Sequence, residues 1–410
     1  MDDLLFLAHR IPYPPDKGDK IRAWHVLRHL ASRYRIHLAT FIDTPDDTRH
    51  IERLREVCTS VFWRPLFPKM ARLYSLRGVL TGASLTEGYF GDPRFRAGVD
   101  QIIAQYQPKI HYVFSSSMAP YGISRIGARV ILDLVDVDSQ KWGQYAQAGS
   151  WFTRFLYRRE QRTLLELERR SARNADVVTL VTPAEAELFA TLAPESADKI
   201  QSIGNGVDID YFDPSQEFFN PLGKSPGIVF TGAMDYRPNI EAMLWFAREV
   251  MPLLRRFPQP PCLWIVGANP TRAVRALAGP DIRVTGRVAD VRPYLRHARV
   301  VVVPLHIARG IQNKVIEAMA MGSAIIVTPQ IQESLSHSVD DVLLTAETPP
   351  EFVDAIAAVM GGARANLGKR ARQYADRHFR WGHALARLDR ALNIDDAIAV
   401  GADRTSCVAM

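Results

Sequence analysis

The residues best suited to chemistry lie in one run, Arg309-Gly-Ile-Gln-Asn-Lys-Val-Ile-Glu-Ala-Met-Ala-Met-Gly322. An apolar stretch, Val300-Val-Val-Val-Pro304, precedes it and another, Ala324-Ile-Ile-Val327, follows, so the unit reads strand, loop, helix, strand. The start of such a helix presents unpaired backbone N–H groups and the positive end of its dipole, a setting that suits an anion. Gly310, Ile311, Gln312 and Asn313 supply that start. Glu317 lies four residues after Asn313 and shares its helix face. A carboxylate one turn below a phosphate is well placed to hold ribose hydroxyls. The pattern predicts a nucleotide-diphosphate pocket in the second half of the chain.

Two further loops follow apolar runs. In Thr231-Gly-Ala-Met-Asp-Tyr-Arg-Pro-Asn239, Gly232 permits close backbone approach and Arg237 offers a planar fork for two phosphate oxygens. Asp235 or Asn239 is positioned to cap a helix over 240–250. In Arg10-Ile-Pro-Tyr-Pro-Pro-Asp-Lys-Gly-Asp-Lys-Ile-Arg22, Gly18 precedes a helix and lets the backbone reach a phosphate, while Lys17, Lys20 and Arg22 add positive charge. Asn205-Gly206, in Ile203-Gly-Asn-Gly-Val-Asp208, reads as a tight turn.

The elements that must carry these loops alternate along the chain. Strand patterns fall at 4–8, 36–41, 110–114, 130–135 and 177–181, with helices at 21–32, 93–106 and 154–173. The second half repeats the scheme, with strands at 227–230, 262–266, 282–285, 300–303 and 324–327. Alternation of this kind means α/β architecture, a parallel sheet covered by helices. Residues 210–226 hold three prolines and no periodicity, which marks a linker. The expected organisation is a Rossmann-like domain at 1–208, a linker at 209–226 and a second Rossmann-like domain at 227–380. A helix at 381–395 then crosses back and a disordered tail fills 396–410. Two doubly wound domains create a cleft, with ligands at the strands' carboxyl ends.

Composition is that of a globular protein: 410 residues, 47% apolar and 23% charged. No apolar run is long enough to span a bilayer and the first residues lack a secretory pattern, so a cytoplasmic protein is expected. Cys58, Cys262 and Cys407 are too few and too scattered for a disulfide framework or a zinc site. The ending Cys407-Val-Ala-Met410 has the form of a prenylation box but no polybasic stretch before it, so outside a eukaryotic host it reads as chance. The net charge of +7 carries no nucleic-acid recognition motif; an anionic membrane with a phosphorylated substrate, or ordinary Arg-rich composition, accounts for it. Residues 61–77 interleave aromatic, aliphatic and basic side chains. They read as an amphipathic stretch lying either on a membrane or on its own domain.

Taken together, these residues resemble the retaining glycosyltransferases of family four, with the GT-B fold, over roughly residues 1–395. Asn205-Gly-Val-Asp208 and Lys314-Val-Ile-Glu-Ala-Met-Ala-Met-Gly322 carry the likeness best. Pro14-Pro-Asp-Lys-Gly-Asp-Lys-Ile-Arg22, Asp136-Val-Asp-Ser-Gln-Lys-Trp142 and 231–239 are similar to a subgroup of bacterial exopolysaccharide clusters associated with PEP-CTERM/exosortase systems. The resemblance implies sugar transfer from a nucleotide-diphosphate donor, with retention and no metal or other cofactor. A glycan or polyprenyl-linked acceptor is expected on a membrane-facing first domain. It also implies that Trp381 marks where the last helices cross back.

This chain departs from that family in places. Arg309 stands where the first Glu of the family's Glu-x7-Glu motif contacts the donor sugar. An arginine cannot accept those hydrogen bonds, which leaves Gly310, Ile311 and Gln312 amides for the sugar, while Arg309 could meet a phosphate or an acidic sugar. Of the family's phosphate-binding Arg and Lys pair, Arg237 remains, helped by Lys314. The family's histidine after the fourth strand is replaced by Ser115-Ser-Ser-Met118, and His111 reads as structural. Asp136 and Asp138 end the next strand. Either could orient or deprotonate an acceptor hydroxyl, or one could cap the following helix. Two other readings stay open, a nucleotide-sugar epimerase of the same fold and a degenerate, non-catalytic sugar-nucleotide binder.

Overall fold

Continuous apolar runs bounded by helical patterns become buried parallel strands in this chain, because both faces of each sheet are covered. The computed structural model describes residues 1–392 except 76–77, 79–81, 124–126, 149–150, 224–225, 307–309, 336–338 and 340. It divides into two units, Met1–Gly204 with Leu385–Met410, and Asn205–Ala384.

The first unit holds seven parallel strands: β1 (Asp3–Ala8), β2 (Arg35–Ile42), β3 (Ser60–Pro65), β4 (Ile110–Phe114), β5 (Arg129–Val135), β6 (Val177–Leu180) and β7 (Ile200–Ser202). Their order is β3-β2-β1-β4-β5-β6-β7. Leu4, Leu5, Phe6 and Leu7 are fully buried, as expected of a central strand. Residues 61–65 differ from the expected amphipathic stretch: they form the edge strand, with Phe62 paired to Ala39 on β2. The β-branched and aromatic side chains there suit a pleated edge. Only Pro68–Ser75 of that stretch is helical, and Arg77 lies outside the described residues.

The helix Gly18–Ala31 is fastened to this sheet by a buried ion pair. Arg22 sets Nε at 2.8 Å and Nη2 at 3.1 Å from the two carboxylate oxygens of Asp133 on β5. Its Nη1 donates to the carbonyls of Ile203 at 2.8 Å and Gly204 at 3.2 Å. The hydroxyl of Tyr112 on β4 donates to Asp133 at 2.6 Å. Burial alone would lower the pKa of Arg22, but the Asp133 charge outweighs it and raises it further.

The second unit holds six parallel strands: β8 (Gly227–Thr231), β9 (Cys262–Val266), β10 (Ile282–Gly286), β11 (Val300–Val303), β12 (Ile325–Val327) and β13 (Leu344–Thr345). Their order is β10-β9-β8-β11-β12-β13. Residues 210–226 lie within this unit, where Phe212 and Leu222 join the hydrophobic core. The helix expected at 240–250 starts earlier, at Arg237, and widens into a π turn over Phe246–Val250. Pro252 follows, and its nitrogen has no hydrogen to donate. The helix Trp381–Ala391 begins in the second unit and ends in the first, where Asp389 meets His29 at 2.7 Å. Residues 393–410, which include most of the tail expected to be disordered, lie outside the described residues. Among the described residues no helix is long and apolar enough to cross a membrane.

Replacing Asp133 by Ala would leave the Arg22 guanidinium buried and unpaired. The expected cost is about 3–5 kcal/mol of stability, read by equilibrium urea unfolding; a loss below about 1 kcal/mol would show that the pair is not what fastens the helix.

Candidate active site

In the second unit, the predicted groups meet at the carboxyl edge of the sheet. Gly232 follows β8 and Gly267 follows β9. A Cβ on Gly267 would lie 1.7 Å from the Gly232 carbonyl oxygen, so the two loops touch backbone to backbone. A Cβ on Gly232, whose φ is +153°, would lie 2.8 Å from the Asn239 amide nitrogen and 3.1 Å from Lys314 Nζ. Gly232 leaves clear the space into which Lys314 reaches.

Lys314 is the second residue of the helix Asn313–Ala320. Its Nζ donates to Asn239 Oδ1 at 2.6 Å and sits 4.6 Å from the centre of the Phe230 ring. Asn239 Nδ2 donates in turn to the Ala233 carbonyl at 2.8 Å. The helix start carries no side-chain cap. Gly310, with φ +64°, turns the chain into it, and Ile311 is buried beside it. Asn313 Oδ1 accepts from Asn205 Nδ2 at 3.1 Å, while Asn313 Nδ2 is buried without a partner. The turn at Asn205 is thereby joined to the helix start. Gln312 Nε2 folds back on the Gly310 carbonyl at 3.4 Å.

Electrostatically, this edge is unsettled. Lys314 and Glu317 each keep a solvent-facing edge yet are surrounded by protein. Burial pushes the Lys314 amine down to about 7, opposed only in part by Glu317. Burial pushes the Glu317 carboxyl up to about 7, opposed in part by Lys314. Glu317 makes no side-chain hydrogen bond among the described residues. An amine and a carboxyl both poised near neutrality, beside open helix amides, can take an anion and then hydroxyls.

Other predicted residues stand elsewhere. Arg309 lies outside the described residues. Arg237, expected to bind a phosphate, sets its Nε 2.7 Å from Glu241 Oε1, one turn along its own helix, with both side chains exposed. Neither Asp235 nor Asn239 caps that helix; Asp235 accepts from Asn269 at 3.0 Å.

In the first unit, Gly18 begins its helix after an uncapped Lys17. Two of the three charges expected beside it are consumed internally. Lys20 is buried against Asp47 at 2.8 Å, and Arg22 against Asp133. His111 is structural, its Nδ1 at 2.9 Å from the Gly122 carbonyl.

Asp136 and Asp138 share one cation, Lys141, at 3.0 and 2.8 Å. They do not cap the helix Asp138–Ala148 with any hydrogen bond seen among the described residues. Its first amides go to glutamates on other helices: Val137 N–H to Glu185 Oε2 at 2.7 Å and Ser139 N–H to Glu168 Oε1 at 3.0 Å. Burial pushes Glu168 up to about 8.

Sequence reasoning missed four of these participants. Gly267 had a signal, a glycine directly after an apolar run, as at Gly232. Glu168 had one too, a carboxylate inside the leucine stripe of a long helix. Asn239 as a holder of Lys314 and Glu185 as an amide acceptor had none.

Residues 18–206 match the family model described as glycosyl transferase 4-like domain, and residues 225–361 match the one described as glycosyl transferases group 1. No curated protein matches. Among solved structures, the sucrose-phosphate synthase of Thermosynechococcus elongatus is similar with a TM-score of 0.69 at 17% identity, over 97% of this chain and 100% of that one. Anabaena HepE, in complex with UDP and glucose, gives 0.68 at 15% identity, over 96% and 100%. WaaG, a glycosyltransferase involved in lipopolysaccharide biosynthesis, gives 0.66 at 14% identity, over 95% and 99%. With the two parallel sheets, these likenesses establish the GT-B fold.

Alanine at Gly267 must move backbone, whereas alanine at Gly232 meets two side-chain ends. Gly267→Ala is expected to cost about 1–3 kcal/mol in urea unfolding, and Gly232→Ala less. The reverse order would show that the two loops are not in backbone contact.

Proposed function

We propose that this chain, a glycosyltransferase of GT-B fold, moves a sugar from a nucleotide-diphosphate donor to a glycan or lipid-linked acceptor with retention of anomeric configuration. The setting we infer is bacterial exopolysaccharide synthesis of the PEP-CTERM-associated kind. The observation that carries the donor reading is Lys314 held by Asn239 at an uncapped helix start, with Glu317 one turn on. HepE, of the same fold, is solved with UDP and glucose. As the bond from the anomeric carbon to the diphosphate breaks, negative charge gathers on the leaving oxygen. Lys314 and the amides at the start of its helix stabilise that charge, and Glu317 accepts from the ribose hydroxyls. The acceptor oxygen bonds to the anomeric carbon as the bond to the diphosphate breaks, and its proton passes to a carboxylate, the role proposed for Asp136 or Asp138.

The acceptor side is inferred to face an anionic lipid surface from within the cytoplasm. Five of the nine exposed large apolar side chains among the described residues are Phe67, Met70, Leu73, Tyr74 and Phe155. Met70, Leu73 and Tyr74 sit on the helix Pro68–Ser75, Phe67 directly precedes it, and Phe155 sits on Trp151–Asn174. Arg159, on the second helix, donates to the carbonyls of Gly78 and Ala83 at 2.7 and 3.0 Å, in the segment that follows the first. The exposed charges of 66–75 and 153–162 are Lys69, Arg72, Arg154, Arg158 and Arg162, all cationic. Rings and aliphatic tips enter the acyl boundary while cations meet lipid phosphates.

Two measurements test the reading. UDP binding followed by calorimetry should be tightest near pH 7. Above that, Lys314 has lost its proton and must take one up to meet the diphosphate, so affinity falls by up to about tenfold per pH unit. Below it, Glu317 is protonated and accepts from hydroxyls only as a neutral carboxyl, more weakly than a carboxylate does. Glu317→Ala should remove the acidic limb and weaken UDP binding about tenfold at pH 7; unchanged binding would sink the donor assignment. Sedimentation with vesicles should show binding to phosphatidylglycerol but not to phosphatidylcholine alone, lost in a Phe67→Ser, Phe155→Ser double variant. Equal binding to neutral vesicles, or to neither, would remove the membrane.

A further inference from the structure

We propose that Glu168 and Glu185 are positioning residues for the acceptor-side carboxylate of Asp136, acting by holding the chain in a strained turn at Val135. This rests on the transfer reading above. Val135, the last residue of β5, has φ +68°. A β-branched side chain in that region is a genuine outlier. The Asp136 N–H donates to the Leu134 carbonyl at 2.9 Å, which closes a three-residue γ-turn of the rare positive-φ kind. Pairing to β6 slips at the same place, with Asp133 opposite Thr179 but Val135 opposite Leu180.

Such a turn persists only where its surroundings hold it from both sides. On one side the Val181 N–H takes the Val135 carbonyl at 2.7 Å. On the other, the Val137 and Ser139 amides are held by Glu185 and Glu168, from two different helices. Both glutamates are buried. Glu185 is itself anchored, its N–H donating to Thr182 Oγ1 at 3.1 Å.

Capping alone does not account for this choice of groups. Asp136 and Asp138 adjoin the same amides, and an aspartate is the ordinary group for that task. The fold instead commits two buried glutamates, one of them, Glu168, without an ion-pair partner within 4 Å among the described residues. The result leaves the aspartates unused by the backbone. Asp136 keeps one oxygen on Lys141, while its Oδ1 is buried without a partner. A carboxylate held by a cation on one oxygen, with the other unsatisfied, is prepared to accept a hydrogen bond from an acceptor hydroxyl.

The test compares Glu168→Ala, Glu185→Ala, their Gln counterparts and Val135→Gly, reading UDP affinity, thermal stability and the kcat and KM of transfer. Gln keeps an oxygen for the amide; Gly relaxes the turn without touching a charge. The Ala variants should lose about tenfold or more in acceptor kcat/KM while UDP affinity stays within about twofold, and the Gln variants should recover most of the loss. Val135→Gly should lose transfer comparably at equal or higher melting temperature, and it decides the matter if the Ala variants fail to fold. Transfer by Val135→Gly at the natural rate, or Gln variants as poor as Ala, would overturn the positioning. A natural chain that transfers no sugar to any acceptor would overturn the transfer reading, and the positioning with it.

Discussion

Arg22 reaches into the first sheet and lays its guanidinium on both oxygens of Asp133, with Tyr112 donating to the same carboxylate. Ile203 and Gly204 close the circle with their carbonyls. Such a pair is costly to bury and far costlier to break, because either partner alone would be a naked charge in the core. It therefore fixes helix Gly18–Ala31, β4, β5 and the unit's last segment in a single arrangement. The strained end of β5 and the Asp136 loop begin two residues beyond Asp133. Their position depends on a strand that this ion pair holds in place.

The two units treat charge differently. In the first, Lys20, Arg22, Asp133, Asp136 and Asp138 all find partners of opposite sign. In the second, Lys314 and Glu317 are placed where burial works against both charges and neither is fully compensated. A site left unsettled in this way gains from a ligand that supplies the missing charge. Structural ion pairs gain nothing from one. The contrast separates Lys314 from Lys20 and Arg22, whose charges are already matched within the fold.

Much of this was legible from residue order alone. The buried strands could be read because both faces are apolar, and Gly232, Lys314 and Glu317 because glycine, amine and carboxylate stood at set distances from those strands. Residues 61–65 were less legible, since an edge strand and an amphipathic surface segment share the same mixture of side chains. Lys20 and Arg22 misled for a different reason. A basic residue beside a glycine loop has the same sequence whether its partner is a phosphate or a buried aspartate 111 positions away, as Asp133 is from Arg22.

By itself, then, the sequence determined where the apolar periods lie, and with them two parallel sheets and the loops at their carboxyl ends. Burial of apolar runs is a local property that composition and spacing already contain. Tertiary structure decided which polar groups meet. It placed Asn239 on Lys314, set Gly267 against Gly232, and sent two distant glutamates to the amides beside Asp136. Hydrogen bonds and ion pairs are short-ranged and directional, so their partners are chosen only once the strands have packed.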